Sequence, residues 1–103
     1  MGNMGAGRLR RAAKVDLVQE EVVTCLRLIG AEVQSMAAIG KGCPDLLISY
    51  KNAWYAAECK TGEKADWTED QLAFKLRHKA PVLRFNGAGD AMAWAKEISA
   101  PKG

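Results

Sequence analysis

Three residues near the middle of the chain have the types and spacing for phosphoryl chemistry: Asp45, which follows Pro44, and, about a dozen residues on, Glu58 with Lys60. Successive side chains of a strand point to opposite faces, so Glu58 and Lys60 share one face and Cys59 takes the other. A tight hairpin turning at Lys51-Asn52 carries the start of one strand to the end of the next, which brings Asp45 to Glu58. Two carboxylates held together repel unless a cation or a proton sits between them. A hard divalent ion such as Mg²⁺ suits the pair, because it takes oxygen ligands and keeps waters for exchange. Such an ion can turn a bound water into a nucleophile and stabilise charge on a phosphoryl oxygen. Lys60 would then position that water or neutralise the phosphate, and the chemistry is metal-dependent cleavage of a phosphodiester. The plainer alternative is a solvated polar strand edge, with Pro44-Asp45 chosen for turn chemistry. Against it, the run "AWYAA" before Glu58 sets that acid where its strand enters the core.

The elements that must position these residues are legible in the apolar pattern. Val15, Val18, Val22, Cys25, Leu26 and Ile29 recur at helical spacing, and Gly30 is placed to end that helix. "AEVQSMA" reads as a first strand, and "LLISY" and "AWYAAECK" as the two strands of the hairpin. "TGEKADW" reads as a loop. Thr68 and Gln71 then have the T-x-x-Q form of a capping box ahead of Leu72, Phe74 and Leu76, which predicts a second helix. Pro81 cannot continue it, and "PVLRF" reads as a fourth strand. After the Asn86-Gly87 turn, Asp90 is expected to cap a last short helix, "AMAWAKEI". The order is α-β-β-β-α-β-α, an α/β fold with a small mixed central sheet flanked by helices. A basic leader over residues 1–11, one domain over 12–100 and a tail over 101–103 complete the expected organisation.

Composition excludes several other classes. With 103 residues, 49% hydrophobic and 26% charged, the chain has room for one core and one site. No run approaches the roughly 20 apolar residues of a membrane span, and the N-terminus lacks the apolar segment of a secretory signal, which points to a cytoplasmic protein. Cys25, Cys43 and Cys59 are odd in number and widely spaced, and His78 is the one histidine, so neither a disulfide framework nor a zinc site is expected. The net charge of +3 permits nucleic-acid contact. Arg8, Arg10, Arg11 and Lys14 crowd the N-terminus, and Lys75, Arg77, His78 and Lys79 crowd the end of the second helix. Each cluster reads as phosphate-contacting or as ordinary solubilising and helix-terminal charge. Lys41, just before the acids, is a further phosphate contact or a soluble loop lysine. Trp54 and Trp94 are expected in packing, whereas Trp67 could pack or stack on a base.

The pattern Pro44-Asp45 followed by Glu58-Cys59-Lys60 resembles the PD-(D/E)XK nuclease superfamily, whose core order α-β-β-β-α-β matches the elements above. The longer stretch from "VDLVQEEVV" through "GCPDLLISY", "AECK" and "WTEDQ" resembles the small phage-type virus-type replication-repair nuclease (VRR-NUC) domains, over about Lys14 to Ile98. The resemblance implies a restriction-endonuclease-like core and a Mg²⁺- or Mn²⁺-dependent DNA endonuclease. It further implies that Asp45, Glu58 and the Cys59 backbone carbonyl hold metal, that Lys60 serves at the attacking water, and that Gln71 reaches back to the same site. Branched or Holliday-junction-like DNA is the implied substrate, and symmetric cutting of a junction by a one-site chain requires a homodimer. Related nucleases add a glutamate from the first helix. Here Gln19 stands at that place, with Glu21 two residues later, and a helical wheel sets both beside the apolar stripe while Glu20 faces away. Glutamine is a weaker, neutral ligand, so the alternative is a non-catalytic nucleic-acid-binding module that retains the fold.

Overall fold

A computed structural model describes the backbone of residues 6–62 and 64–101, with side chains in the first helix described from Leu17 onward. Its elements follow the expected order: α1 (Ala6–Leu28), β1 (Glu32–Ser35), a single 3-10 turn (Ala37–Ile39), β2 (Leu46–Tyr50), β3 (Ala53–Cys59), α2 (Glu69–His78), β4 (Val82–Phe85) and α3 (Ala88–Ser99). The four strands form one mixed sheet in the order β1-β2-β3-β4, with the first two pairings antiparallel and β3 parallel to β4. The α/β arrangement read from the sequence is therefore the one observed.

Local chemistry sets the ends of these elements. α1 closes in a Schellman motif: Ala31 N–H donates to Leu26 O at 3.0 Å and Gly30 N–H to Arg27 O at 3.1 Å, with Gly30 at φ +96°. The hairpin joining β2 to β3 has Lys51 and Asn52 at φ 49° and 66°, the left-handed pair of a two-residue turn, with Tyr50 opposite Ala53. α2 opens on the full capping box, in which Gln71 N–H donates to Thr68 Oγ1 and Thr68 N–H donates to Gln71 Oε1.

Two boundaries differ from expectation. α1 starts at Ala6, so residues 6–11 continue the helix backbone rather than forming a leader. α3 starts at Ala88 behind Gly87, and Asp90 lies in its first turn instead of capping it; its Oδ2 accepts from Asn86 N–H at 2.8 Å. The carboxylate still satisfies a backbone donor at the helix start, reached from inside the helix rather than from its cap position.

The core lies on one face of the sheet. Val33, Leu46, Ile48, Ala57, Cys59 and Phe85 pack against Val22 and Leu26 of α1 and Ala91, Trp94 and Ala95 of α3. Leu26, Leu46 and Ile48 are fully buried, and each such side chain contributes about 1.5–3 kcal/mol. Trp94 anchors α3 through rings of Tyr55 (4.9 Å between centroids), Phe85 (5.7 Å) and Tyr50 (5.9 Å). Trp54, expected in packing, is 73% exposed, because its strand parity places it on the opposite face from Tyr55. That opposite face carries Glu58 and meets α2. Since α2 buries none of its residues, with Leu76 77% exposed, apolar packing does not hold it down; polar contacts at its first turn do.

Candidate active site at the open end of the hairpin

The register Leu46 to Ala57 sets Asp45 across from Glu58, one step beyond the end of β2. The two are joined reciprocally. Asp45 N–H donates to Glu58 Oε1 at 3.1 Å, and Cys59 N–H donates to Asp45 Oδ2 at 2.9 Å. The loop before Asp45 is itself tied to the sheet, since Met36 N–H donates to Asp45 O at 2.7 Å and extends the β1–β2 ladder. On the other side Lys60 N–H donates to Phe85 O at 3.0 Å, which continues the parallel ladder past β3 and fixes the Lys60 backbone. In an extended strand the N–H and C=O of one residue project to the same side. The Cys59 carbonyl therefore faces the Asp45 side, as its N–H does.

Glu58 is 2% exposed. Burial, and then the neighbouring Asp45 carboxylate, push its pKa from 4.5 up to about 7, while the Lys60 ammonium pulls the other way. Lys60 Nζ stands 4.0 Å from Glu58 Oε2, with its side chain 11% exposed. A surface pair screened by water is thus ruled out for these two residues.

Gln71 links them. Its Nε2 donates to Glu58 Oε2, and its Oε1 accepts from Lys60 Nζ at 2.7 Å and from Thr68 N–H at 2.8 Å. The capping contact and the reach toward Glu58 and Lys60, expected as alternatives, are made together: Oε1 accepts from both Thr68 and Lys60 while Nε2 turns to Glu58. Gly42 makes this docking possible: at φ +80° it approaches α2 so closely that a Cβ would run into the carbonyl of Asp70. Gly42 thus lets the loop that leads to Asp45 lie against the turn that carries Gln71.

The donor set fits a hard divalent ion. It consists of two carboxylates and a strand carbonyl, all oxygen. Burial first, and the Asp45 carboxylate second, raise the Glu58 pKa, and a cation placed between the two acids would lower it. Among the described residues no group of three His, Cys, Asp or Glu side chains is placed to hold a metal. Among the described residues the site offers two carboxylates, which suits an ion that retains several waters.

The remaining sequence candidates divide. Gln19 is half-buried and its Nε2 lies 3.4 Å from Ser35 Oγ, on the residue paired with Leu46, so it approaches the Asp45 end of the sheet without touching the acids. Glu21 is exposed beside Leu17, Cys25, Leu28 and Ala88, toward the start of α3. Lys41 is exposed in the loop before Asp45 at φ 53°. Lys75 is half-buried, with Nζ 3.9 Å from the centre of the Trp67 ring. The side chains of Arg8, Arg10 and Arg11 lie outside the described residues. The Cys43 thiol is pushed up by burial and then by Glu58 and Asp45, and Cys59 is pushed up to about 12, so neither is poised as a thiolate nucleophile.

Arg84 was not singled out from the sequence. Its Nη2 donates to Gly62 O at 2.7 Å and its Nε to Asn86 Oδ1 at 2.9 Å, which pins the loop that follows Lys60. The signal was available: an arginine inside "PVLRF" sits in register beside Glu58, on the same face. No family model matches the chain, and no curated protein and no solved structure matches it significantly.

Proposed function

We propose that the chain is a metal-dependent DNA endonuclease of the PD-(D/E)XK type, resembling VRR-NUC domains. The observation that carries this reading is the joined Asp45 and Glu58 pair, with Glu58 buried and linked through Gln71 to Lys60. Burying an acid beside another acid costs stability, a cost that a functional site gives a reason to retain. A bound Mg²⁺ or Mn²⁺ would supply Lewis-acid stabilisation of the phosphoryl group and acidify a coordinated water.

Asp45, Glu58 and the Cys59 carbonyl would hold that ion. Lys60 places its ammonium where charge grows on the phosphate or the attacking oxygen, and Gln71 fixes the ammonium by accepting from it. Arg84 keeps the loop after Lys60 in place. Branched DNA as substrate, a homodimer as the cutting form and a phage or bacterial intracellular setting belong to the same proposal and rest on the family resemblance. No described helix is long and apolar enough to cross a membrane. The test is nicking of labelled four-way junction, flap and duplex DNA with Mg²⁺, Mn²⁺ or chelator, repeated with Asp45→Ala and Lys60→Ala.

One observation favours a second reading, a DNA-binding module without efficient chemistry. Gln19, where an acid would complete the site, bonds to Ser35 and not to the acid pair. Salt-sensitive DNA binding without cleavage under any metal supports that reading.

A further inference from the structure

We infer that Lys75, held on the ring of Trp67, seats a backbone phosphate of the DNA strand next to the one served by Lys60, and that Trp67 positions this cation rather than stacking on a base. This rests on the nuclease reading for the identity of the strand. Two ammonium groups lie against the one indole: Lys75 Nζ is 3.9 Å from a ring centroid of Trp67 and Lys60 Nζ is 5.6 Å from it. Both fall within the roughly 6 Å over which a ring attracts a cation. Lys75 follows Gln71 by one helical turn, so the two side chains stand one above the other on the same face of α2. Gln71 is the residue that bonds Lys60. The fold therefore sets Lys60 and Lys75 in a row, with Trp67 behind them.

The charge balance separates the two lysines. Lys60 shares its ammonium with Glu58 and Gln71. No carboxylate of the described residues is in ion-pair contact with Lys75, although the side chain is half-buried. A half-buried cation held by a π face, with no carboxylate of the described residues paired to it, is a seat for an anion. The two ammonium groups cannot be farther apart than the sum of their distances to the ring, a span that neighbouring phosphates of one strand can bridge. One strand can thus engage both. The face of Trp67 covered by Lys75 is closed to a base, which separates this role from the stacking expected of an open tryptophan.

The test is fluorescence-anisotropy binding of labelled duplex and junction DNA in Ca²⁺, over about 50 to 200 mM salt, for the wild type, Lys75→Gln, Lys75→Arg and Trp67→Leu. A phosphate contact contributes about 0.9 to the slope of log K against log salt. Lys75→Gln is expected to lower the slope by about that amount, equally on both DNAs, Lys75→Arg to keep it, and Trp67→Leu to lower it in the same direction. An unchanged slope in Lys75→Gln, or no measurable binding by the wild type, overturns the inference. So does a Trp67→Leu variant that weakens binding at constant slope, which is the behaviour of a base-stacking residue. Loss of metal-dependent cleavage as a property of the wild type would sink the nuclease reading alone, because the slope is read without cleavage.

Discussion

The Asp45 backbone N–H donates to the Glu58 carboxylate at 3.1 Å, while the Asp45 carboxylate accepts from the N–H that follows Glu58 at 2.9 Å. Each acid is thereby held by the backbone of the other's strand, so the fold itself fixes the pair. Preorganisation of this kind is what electrostatic catalysis requires, since no reorganisation is left for the reaction step.

Stability in chelator should fall as pH rises. The folded-state pKa of Glu58 is raised from 4.5 to about 7, so the folded chain retains a proton that the unfolded chain has released. The associated stability is full below about 4.5 and is lost as pH climbs to about 7, by at most about 3 kcal/mol. Urea melts at several pH values should show this loss in the wild type and a flat profile in Glu58→Gln. A wild-type profile rising over that window would contradict the assignment.

Mg²⁺ or Mn²⁺ should reverse the effect. The ion binds the carboxylate form, so it should raise the melting temperature more at pH 8 than at pH 5, with proton release on binding. Asp45→Asn and Glu58→Gln should each remove most of the gain. Calorimetric titration in two buffers of different ionisation enthalpy reads the released protons directly.

Gln71 and Thr68 should come apart on mutation. Thr68→Ala removes a helix cap and should cost about 1 kcal/mol while cleavage continues. Gln71→Glu can keep the capping box, but it sets a third carboxylate against Glu58 and should lower the cleavage rate by about 10²-fold. Equal losses of stability and rate in the two variants would assign Gln71 to the cap alone.

Gly42→Ala should be severe for so small a change. The new Cβ meets the Asp70 carbonyl and the φ of +80° is strained for alanine. Overpacking and strain together should cost about 2–5 kcal/mol, and the shifted α2 should carry Gln71 away from Lys60. Denaturant melts and cleavage rates should fall together, whereas Gly40→Ala, with open space around it, should cost only the strain of its positive φ.

Much of this geometry was legible in residue order because it depends on local rules. Strand parity placed Glu58 with Lys60, the Lys51-Asn52 turn fixed the register that brings Asp45 across, and T-x-x-Q announced α2. What escaped depended on contacts between distant elements. Gln71 reads as either cap or site residue because a linear pattern does not show that one amide can reach Thr68, Lys60 and Glu58 together. The pairing of Lys75 with Trp67 joins a loop to a helix and leaves no periodic trace. Trp54 looked like core because tryptophan is usually buried, yet its parity sets it on the outward face.

The central claim is that Asp45, Glu58 and Lys60 form a metal-dependent phosphodiesterase site, and single-turnover cleavage of labelled junction DNA tests it most directly. The account predicts Mg²⁺-dependent nicking by the wild type, none in chelator, and a loss of at least about 10²-fold in both Asp45→Ala and Lys60→Ala. Cleavage that persists in chelator, or that survives both substitutions, would contradict it.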